Sequence, residues 1–332
     1  MTSPKLNLSG RPVFRLLALV VTAVLMLPLP ISAGATKLPV TASILPLGDF
    51  CEKIGRDLVT VKVLIPPGAS PHVFEPPPVA VAQAMEARVF VYVGAGLDPW
   101  AERLLRSQVA RKMLAVAAVE GIPLIKEVAK HHNHESPAGE EGHHHPGETK
   151  GRESAAATRH DHEQGNPHVW LDPVLAQDIC RRIAQAFIQA DPAHRQEYEG
   201  NLSRYLTELE QLHGDIAKEV AGFRQREYVT FHPAFTYFSR RYGLREAGVI
   251  ETAPGREPSP GHLQKIIAEI KKTGSRAVFA EPQLSPRVAE VIAREAGVKV
   301  LLLDPLGGRP PYGSDYLKLM RHNLAILAQG LK

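Results

Sequence analysis

Short apolar runs alternate with helical patterns along the chain, and this alternation constrains the fold more than any other feature. The β-branched runs that Gly or Pro bounds predict buried strands at Leu58–Ile65, Val89–Gly94, Tyr228–Phe231, Ala277–Ala280 and Val298–Leu303. Helical patterns follow the Asp-Pro or Ser-Pro dipeptides at Asp98, Asp172, Asp191, Ser259 and Ser285, where Asp or Ser suits the N-cap and Pro the first turn. Strands that alternate with helices pair in parallel. The sequence therefore predicts an α/β fold built from mainly parallel sheets flanked by helices.

A stretch without proline, from Ala193 to Phe223, predicts one long helix. Its apolar positions recur at steps of three and four: Tyr198, Leu202, Tyr205, Leu209, Leu212, Ile216 and Val220. A helix of about 30 residues is ~45 Å long, which exceeds the needs of one lobe. We interpret it as a strut that joins two lobes. Two shorter helices broken near Gly200 or Gly214 are the alternative.

The first 35 residues have the pattern of a secretory signal peptide. Positive residues precede the apolar run Leu16–Leu27, which is too short to span a bilayer, and Ala33–Ala35 offers a cleavage site. Cleavage near Ala35 leaves 332 − 35 = 297 residues, enough for two lobes, with a net charge of 39 − 3 − 35 = +1. This charge does not favour nucleic acid or a membrane surface as a partner. We expect an exported protein with an N-terminal lobe at 36–191, a linking helix at 192–223 and a C-terminal lobe at 224–332.

Four candidate metal ligands lie at or near the ends of predicted strands. His72 and His232 follow strands, His168 precedes a helix start, and Asp304 ends a strand. Ligands of open α/β sheets bind beyond the carboxyl ends of the strands. Three imidazoles and one carboxylate can close a tetrahedral shell around Zn²⁺. The alternatives are hydrogen-bonded boundary histidines and a turn role for Asp304. Glu281, at another strand end, either orients a ligand or is a solvated turn residue.

A histidine-rich stretch at 131–163 shows no hydrophobic periodicity. It carries eight of the fifteen histidines: His131, His132, His134, His143, His144, His145, His160 and His162. The composition is typical of metal binding. Histidines on an unstructured loop, however, lose conformational entropy with each bond that they form to a metal. We expect an accessory loop of the N-terminal lobe that collects zinc weakly, senses it or passes it on. A solvated linker is the alternative.

The ordered set of these motifs resembles the metal-binding solute receptors of ABC transporters, the cluster A-I family. Within that family the chain is most similar to the periplasmic zinc-binding component of high-affinity zinc uptake. The motifs are "PPGASPHVFEPPP", "VGAGLDPW", the histidine-rich loop, "NPHVWLDP", "VTFHPAFTYFSRRYGL", "EPSPGHL", "VFAEPQ" and "LLLDPLGG". The resemblance implies two α/β lobes joined by a long helix, with the metal held in the cleft between them by His72, His168, His232 and Asp304. Manganese receptors of this kind carry Glu at the third position, so His232 implies zinc.

The resemblance also implies a function. We expect a monomeric periplasmic receptor, not an enzyme, that captures Zn²⁺ as its transported ligand and delivers it to the membrane permease of an ABC transporter. No Cys precedes Cys51, so we expect a free protein rather than a lipoprotein, and we leave open whether Cys51 and Cys180 are buried thiols or a pair. Three further hypotheses stay open: a manganese or iron receptor of the same fold, a zinc storage or chaperone protein built on the loop, and a zinc hydrolase, which requires an open coordination position.

Overall fold

The computed structural model describes residues 1–3, 36–107, 112–126, 165–251 and 258–332. Within these ranges the strands form two parallel sheets. The strands are β1 Leu38–Ala42, β2 Val59–Val63, β3 Val89–Tyr92, β4 Leu114–Ala117, β5 Glu227–Thr230, β6 Arg245–Val249, β7 Ala277–Ala280 and β8 Lys299–Leu302. Their orders are β2-β1-β3-β4 and β6-β5-β7-β8, with parallel pairing throughout. The predicted α/β class is confirmed. Strands β1, β4 and β6 go beyond the predicted set.

Helices alternate with the strands, and five of them begin within four residues of the predicted Asp-Pro or Ser-Pro dipeptides. They are α1 Leu45–Gly55, α2 Pro78–Ala84, α3 Pro99–Leu105, α4 Pro173–Ala190, α5 Arg195–Ala221, α6 Thr236–Tyr242, α7 Pro260–Thr273, α8 Arg287–Ala296 and α9 Tyr316–Leu331. The Asp172 side chain caps α4 by accepting a hydrogen bond from the N–H of Val174. Gly274 and Gly297 end α7 and α8 in the left-handed conformation. Within these described ranges, none of the helices combines the length and apolar character that a membrane span requires.

Helix α5 runs unbroken from Arg195 to Ala221, so the alternative of two shorter helices is wrong. At 1.5 Å per residue it is ~40 Å long. Its buried face is the predicted one except that Asn201 is buried and Leu202 only half-buried. Asn201 tolerates burial because its side-chain amide donates to the carbonyl of Ile54 in α1 (2.8 Å).

One hydrophobic core extends across α5 and contains residues of both sheets. It runs from β1 and β3 through α4 and α5 to α9 and Phe279 of β7. A smaller cluster, which includes Val229, Ile266 and Ile292, lies among β5, β7, α7 and α8. The residues from Lys37 to Lys332 form one unit, and the domain bounds 36–191, 192–223 and 224–332 stay a prediction.

The strand order of each sheet creates a crevice for a ligand. In both sheets the second strand lies on one side of the first and the third strand on the other, so the topology switches between β1 and β3, and between β5 and β7. Ligands of open α/β sheets bind outside the carboxyl ends of strands at such switch points. Residues directly after β5 and β7 therefore occupy the position where the second sheet can hold a ligand.

Candidate metal centre

Three of the four predicted ligands converge in the structure. The Nε2 atoms of His72 and His168 are 3.2 Å apart, and those of His168 and His232 are 3.1 Å apart. Candidate ligand atoms of all three residues lie within 4.8 Å of one another. A tetrahedral zinc ion with Zn–N bonds of ~2.0–2.1 Å separates its ligand atoms by ~3.3 Å. The spacing is therefore that of ligands around a single small cation.

Each histidine is positioned by a different local structure. His232 follows β5 after one intervening residue, Phe231, at the switch point, with extended backbone before a short 3₁₀ turn. His168 immediately precedes the turn Val169–Leu171 that leads into α4. His72 lies in the loop after β2, where the N–H of Phe74 bonds to the carbonyl of Ser70 (3.1 Å) and closes a turn around it. The first two histidines are buried and His72 is half-buried.

Asn166 fixes which nitrogen of His168 faces the centre. Its Oδ1 accepts from the backbone N–H of His168 (3.0 Å), and its Nδ2 donates to the carbonyl of Pro233 (2.7 Å). These two backbone groups determine the orientation of the amide, because a carbonyl accepts only and an N–H donates only. The same Oδ1 lies 2.9 Å from Nδ1 of His168, so Nδ1 carries the proton. The lone pair of Nε2 is left to bind a cation.

Glu281 holds His232 in a similar way. One carboxylate oxygen accepts from the backbone N–H of His232 (3.3 Å) and from its Nδ1. Glu281 directly follows β7, next to β5 in the sheet, and is 2% exposed, so the alternative of a solvated turn residue is wrong. Nε2 of His232 thereby points toward the other two imidazoles. Carboxylate–histidine pairs of this kind orient metal ligands and increase their basicity.

The electrostatics of the cluster favour a neutral imidazole at His168. Burial, followed by the proximity of His232 and His72, holds the pKa of His168 well below its usual 6.5. His168 is therefore neutral at physiological pH. A neutral imidazole is the form that binds a metal ion.

Asp304 lies after β8 but is not part of the histidine cluster among the described residues. Its Oδ1 accepts from Gln283 Nε2 (2.7 Å) and from the N–H groups of Leu306 and Gly307 (3.0 Å each). Its Oδ2 accepts from the hydroxyl of Tyr312 (2.7 Å). The carboxylate thus braces the turn that follows β8. Its predicted role as a ligand stays a prediction.

Just before His168, Asn166 is bonded to Ile125, and we call this pair of bonded chain ends the closed stem. The N–H of Asn166 bonds to the carbonyl of Ile125 (2.8 Å), and the hydroxyl of Tyr237 accepts from the N–H of Ile125 (3.1 Å) and donates to the carbonyl of Asn166 (2.8 Å). Gly165 has φ +96°, and a Cβ there would lie 2.8 Å from Leu124 Cβ. Only glycine fits this conformation and this space.

The predicted accessory histidines, from His131 to His162, lie outside the described residues. Cys51 and Cys180 lie within them, and both are buried free thiols. Burial raises the pKa of both groups, so neither is a reactive thiolate. The sequence prediction did not include Asn166 or Tyr237; the only signal for Asn166 was a polar residue two positions before a candidate ligand.

Known proteins share both the sequence pattern and the fold. A family model described as zinc-uptake complex component A, periplasmic, matches residues 40–330. The chain is 30% identical over 299 residues to the high-affinity zinc uptake system protein ZnuA of Bacillus subtilis, covering 89% of this chain and 88% of that protein. It is 29% identical over 300 residues to the zinc-binding lipoprotein AdcA of Streptococcus pneumoniae, covering 88% of this chain and 56% of AdcA. The chain thus spans about half the length of that relative.

Solved structures agree with this assignment. A ZnuA deletion mutant with zinc bound matches with a TM-score of 0.73 and 31% identity, covering 89% of this chain and 98% of that one. The Zn(II)-bound ZnuA-like domain of Streptococcus pneumoniae AdcA matches with a TM-score of 0.68 and 26% identity, covering 89% of this chain and 99% of that one. With the family model matched over nearly all of the chain after Pro39, the chain belongs to the family of periplasmic zinc-uptake complex component A proteins.

Proposed function

We propose that this protein captures Zn²⁺ in the periplasm and delivers it to the membrane permease of an ABC transporter. The observation that carries the proposal is the spacing of the candidate ligand atoms: Nε2 of His168 lies 3.2 Å from that of His72 and 3.1 Å from that of His232, and ligand atoms of all three lie within 4.8 Å of one another. Family membership and the zinc-binding names of the relatives support it. The zinc ion is cargo rather than a resident cofactor.

The donor set favours zinc over manganese. Imidazole nitrogen suits zinc, whereas manganese favours carboxylate, carbonyl and water oxygens. We propose His72, His168 and His232 as direct ligands. Asp304 is the fourth ligand that the sequence predicts, and it can reach the ion only if its carboxylate leaves Tyr312 and Gln283.

Zinc release is proposed to begin at His72. His168 and His232 are 3% and 4% exposed, whereas His72 is half-buried in a loop. The core that crosses α5 restricts the opening of two rigid lobes, so a local shift of the His72 loop is the easier path. Docking on the permease would displace this loop.

The eight histidines of 131–163 are proposed as accessory zinc ligands. The exported protein, cleaved near Ala35, is proposed to be a monomer that has no role in nucleic-acid binding.

The proposal is tested by competitive titration with a calibrated chelator. Protein that begins at Thr36 is titrated with Zn²⁺ and Mn²⁺, with and without residues 131–163. We expect one tight zinc equivalent in both forms and much weaker manganese binding. The substitution His232→Ala should abolish the tight site, because the two remaining imidazoles cannot complete the shell.

A matched control is His194→Ala. His194 bonds to Asp191 (2.7 Å) before α5 and does not line the pocket around the three ligands. Its replacement should leave zinc binding intact. Loss of the tight site on deletion of 131–163 would instead indicate a storage or chaperone protein built on that segment. Tighter binding of Mn²⁺ than of Zn²⁺ would indicate a manganese receptor, and ester hydrolysis with zinc bound would indicate a hydrolase.

A further inference from the structure

The side chain of Asn166 contacts the backbone or ring of two ligand-bearing segments at once. We propose that Asn166 is a positioning residue that couples His168 to His232 and so sets the geometry of the zinc site before the ion arrives. The inference rests on the proposed function, since it concerns how the same three histidines bind zinc.

The first half of the coupling is the orientation of His168. The amide oxygen of Asn166 accepts from both the backbone N–H and Nδ1 of His168, at 3.0 and 2.9 Å. Two bonds to one residue fix both the peptide and the plane of the ring. Because Asn166 is only 1% exposed, water does not compete for the amide.

The second half is the attachment to the backbone after His232. The amide nitrogen of Asn166 donates to the carbonyl of Pro233 (2.7 Å), and Thr236 Oγ1 lies 3.0 Å from that same oxygen. Pro233 follows His232 directly, and its ring restricts its own φ. A bond to its carbonyl therefore limits where the His232 backbone can move. The ligand of one segment is tied through a single side chain to the ligand of the other.

Tyr237 supports the main chain of Asn166 from the same side. Tyr237 lies in α6, and its hydroxyl donates to the carbonyl of Asn166 (2.8 Å). Main chain and side chain of Asn166 are thus both held by the segment that follows His232. These contacts hold the two buried imidazoles with their Nε2 atoms 3.1 Å apart. Support of ligands in this way reduces the ordering that metal binding requires.

Two substitutions separate the two halves of the coupling. Asn166→Ala removes both, and we expect about 10- to 100-fold weaker zinc binding, in line with the loss of other residues that support metal ligands. The absorption bands of Co²⁺ bound in place of zinc should also change, because His168 loses its fixed orientation. Asn166→Asp keeps an acceptor for His168 but loses the donor to Pro233 and adds a negative charge, which by itself attracts Zn²⁺. The Co²⁺ spectrum of this variant should stay that of the wild type, because His168 keeps its orientation.

Asn201→Ala is the matched control. Asn201 is a buried asparagine that also donates to a backbone carbonyl, that of Ile54, but it lies in α5 and does not line the zinc pocket. Its replacement should lower stability without changing the Co²⁺ spectrum or the zinc dissociation rate. If Asn166→Ala does not fold, Tyr237→Phe removes only the hydroxyl that supports Asn166, and zinc should still dissociate faster than from the wild type.

The outcomes distinguish this inference from the proposed function. No tight zinc equivalent in the wild type would overturn both. A tight wild-type site with unchanged affinity and spectrum in Asn166→Ala would overturn the coupling alone. Where Asn166→Ala does not fold, wild-type dissociation kinetics in Tyr237→Phe would likewise overturn it.

Discussion

At the scale of single residues, the site separates ligands from the groups that hold them. His168 and His232 each have Nδ1 bound to a side-chain acceptor, which leaves Nε2 for the ion. Ligand types are visible in sequence because only a few side chains bind zinc. The supporting residues are not, because their roles depend on contacts between distant positions. Asn166 and Tyr237, for example, are 71 positions apart.

Asp304 shows the same limit of sequence-based prediction for a candidate ligand rather than for a supporting residue. A carboxylate at a strand end predicts a ligand, but whether it reaches the cluster depends on which donors the following turn supplies. Here those donors include two backbone N–H groups and the hydroxyl of Tyr312. No pattern in the sequence encodes this arrangement.

The substitution Asp304→Asn tests the role of this carboxylate. Asp304 does not belong to the group of histidine ligand atoms within 4.8 Å of one another, and its carboxylate accepts from Tyr312 and Gln283, so we expect zinc affinity within about threefold of the wild type. Stability should fall by about 1–3 kcal/mol, because hydrogen bonds to a charged group are weakened. Chelator competition and urea unfolding measure the two effects. A tenfold or larger loss of affinity with little loss of stability would show that Asp304 is a ligand, as the sequence predicts.

Removal of Glu281 should, in contrast, mainly lower the affinity for zinc. Three neutral imidazoles leave the charge of a buried Zn²⁺ uncompensated, and the carboxylate behind His232 offsets part of it. Glu281→Ala should therefore weaken zinc binding by about 10- to 100-fold. Glu281→Gln, which keeps an acceptor for Nδ1 but not the charge, should give a smaller loss. Equal zinc affinity in wild type and Glu281→Ala, measured by chelator competition, would contradict this role.

At the scale of helices and strands, α5 is the element on which the others converge. It packs against α1, α4, α6 and α9. Its unbroken course was predictable because apolar spacing is a local property of the sequence. Strands β1, β4 and β6 were not: β1 contains Pro39, β6 contains Gly248, and two of the four residues of β4 are Ala. Their place in the sheets depends on pairing with distant strands, which local propensity does not encode.

Glycine substitutions test the continuity of α5. Gly214 lies in the helix interior with open space around its Cα, so Gly214→Ala should stabilise the protein by about 0.5–1 kcal/mol. Gly274→Ala is the matched comparison, because φ is +65° there and the same change should destabilise. Urea unfolding of both variants measures the effect. A loss of stability in Gly214→Ala would argue for a break in the helix at that position.

The junction of α1, α5 and α9 contains a buried carboxylate with an altered pKa. Asp49 accepts from the hydroxyl of Tyr205 and from the N–H of Tyr316, both at 3.2 Å, with Lys53 at 3.9 Å. Burial raises its pKa from 3.8 to about 6, although Lys53 opposes the shift. Between these two pH values the folded state binds more protons than the unfolded state. The contribution of Asp49 to stability therefore falls as pH rises from about 4 to 6.

Asp49→Asn should remove this pH dependence. At pH 7.5 the variant should be more stable than the wild type by up to about 3 kcal/mol, the value of a shift of about two units. The advantage should shrink as pH falls toward 4. Lys53 keeps a second partner, Asp315, at 3.2 Å. Thermal unfolding of both proteins across this pH range measures the difference in stability. A stability advantage of Asp49→Asn that stays constant with pH would rule out the titration of Asp49 as its cause.

At the scale of the whole molecule, zinc binding should add to the stability of one continuous unit. The candidate ligands come from distant parts of one unit whose core crosses α5, so an ion bound to all three would link those parts. Zinc at 100 times its Kd should raise the free energy of unfolding by about 2.7 kcal/mol. For a chain of this size the unfolding temperature should rise by about 4 °C.

Calorimetry with zinc and with excess chelator measures this shift. His232→Ala should lose it, whereas His194→Ala should retain it. A shift of equal size in His232→Ala would mean that zinc stabilises the protein from another position.

The closed stem at Ile125 and Asn166 also makes the chain between them a natural grafting site. Ile125 and Asn166 are bonded to each other and to Tyr237, so the positions of these two ends are fixed. The fold therefore does not depend on the length of an inserted segment. Longer insertions at such a point add only slowly to the loop-closure entropy. A fluorescent reporter spliced in after Ile125, with Gly165 retained for its φ of +96°, would sit at the base of the series of contacts that leads to His168. The architecture of the candidate zinc site would then serve as the frame of a zinc biosensor.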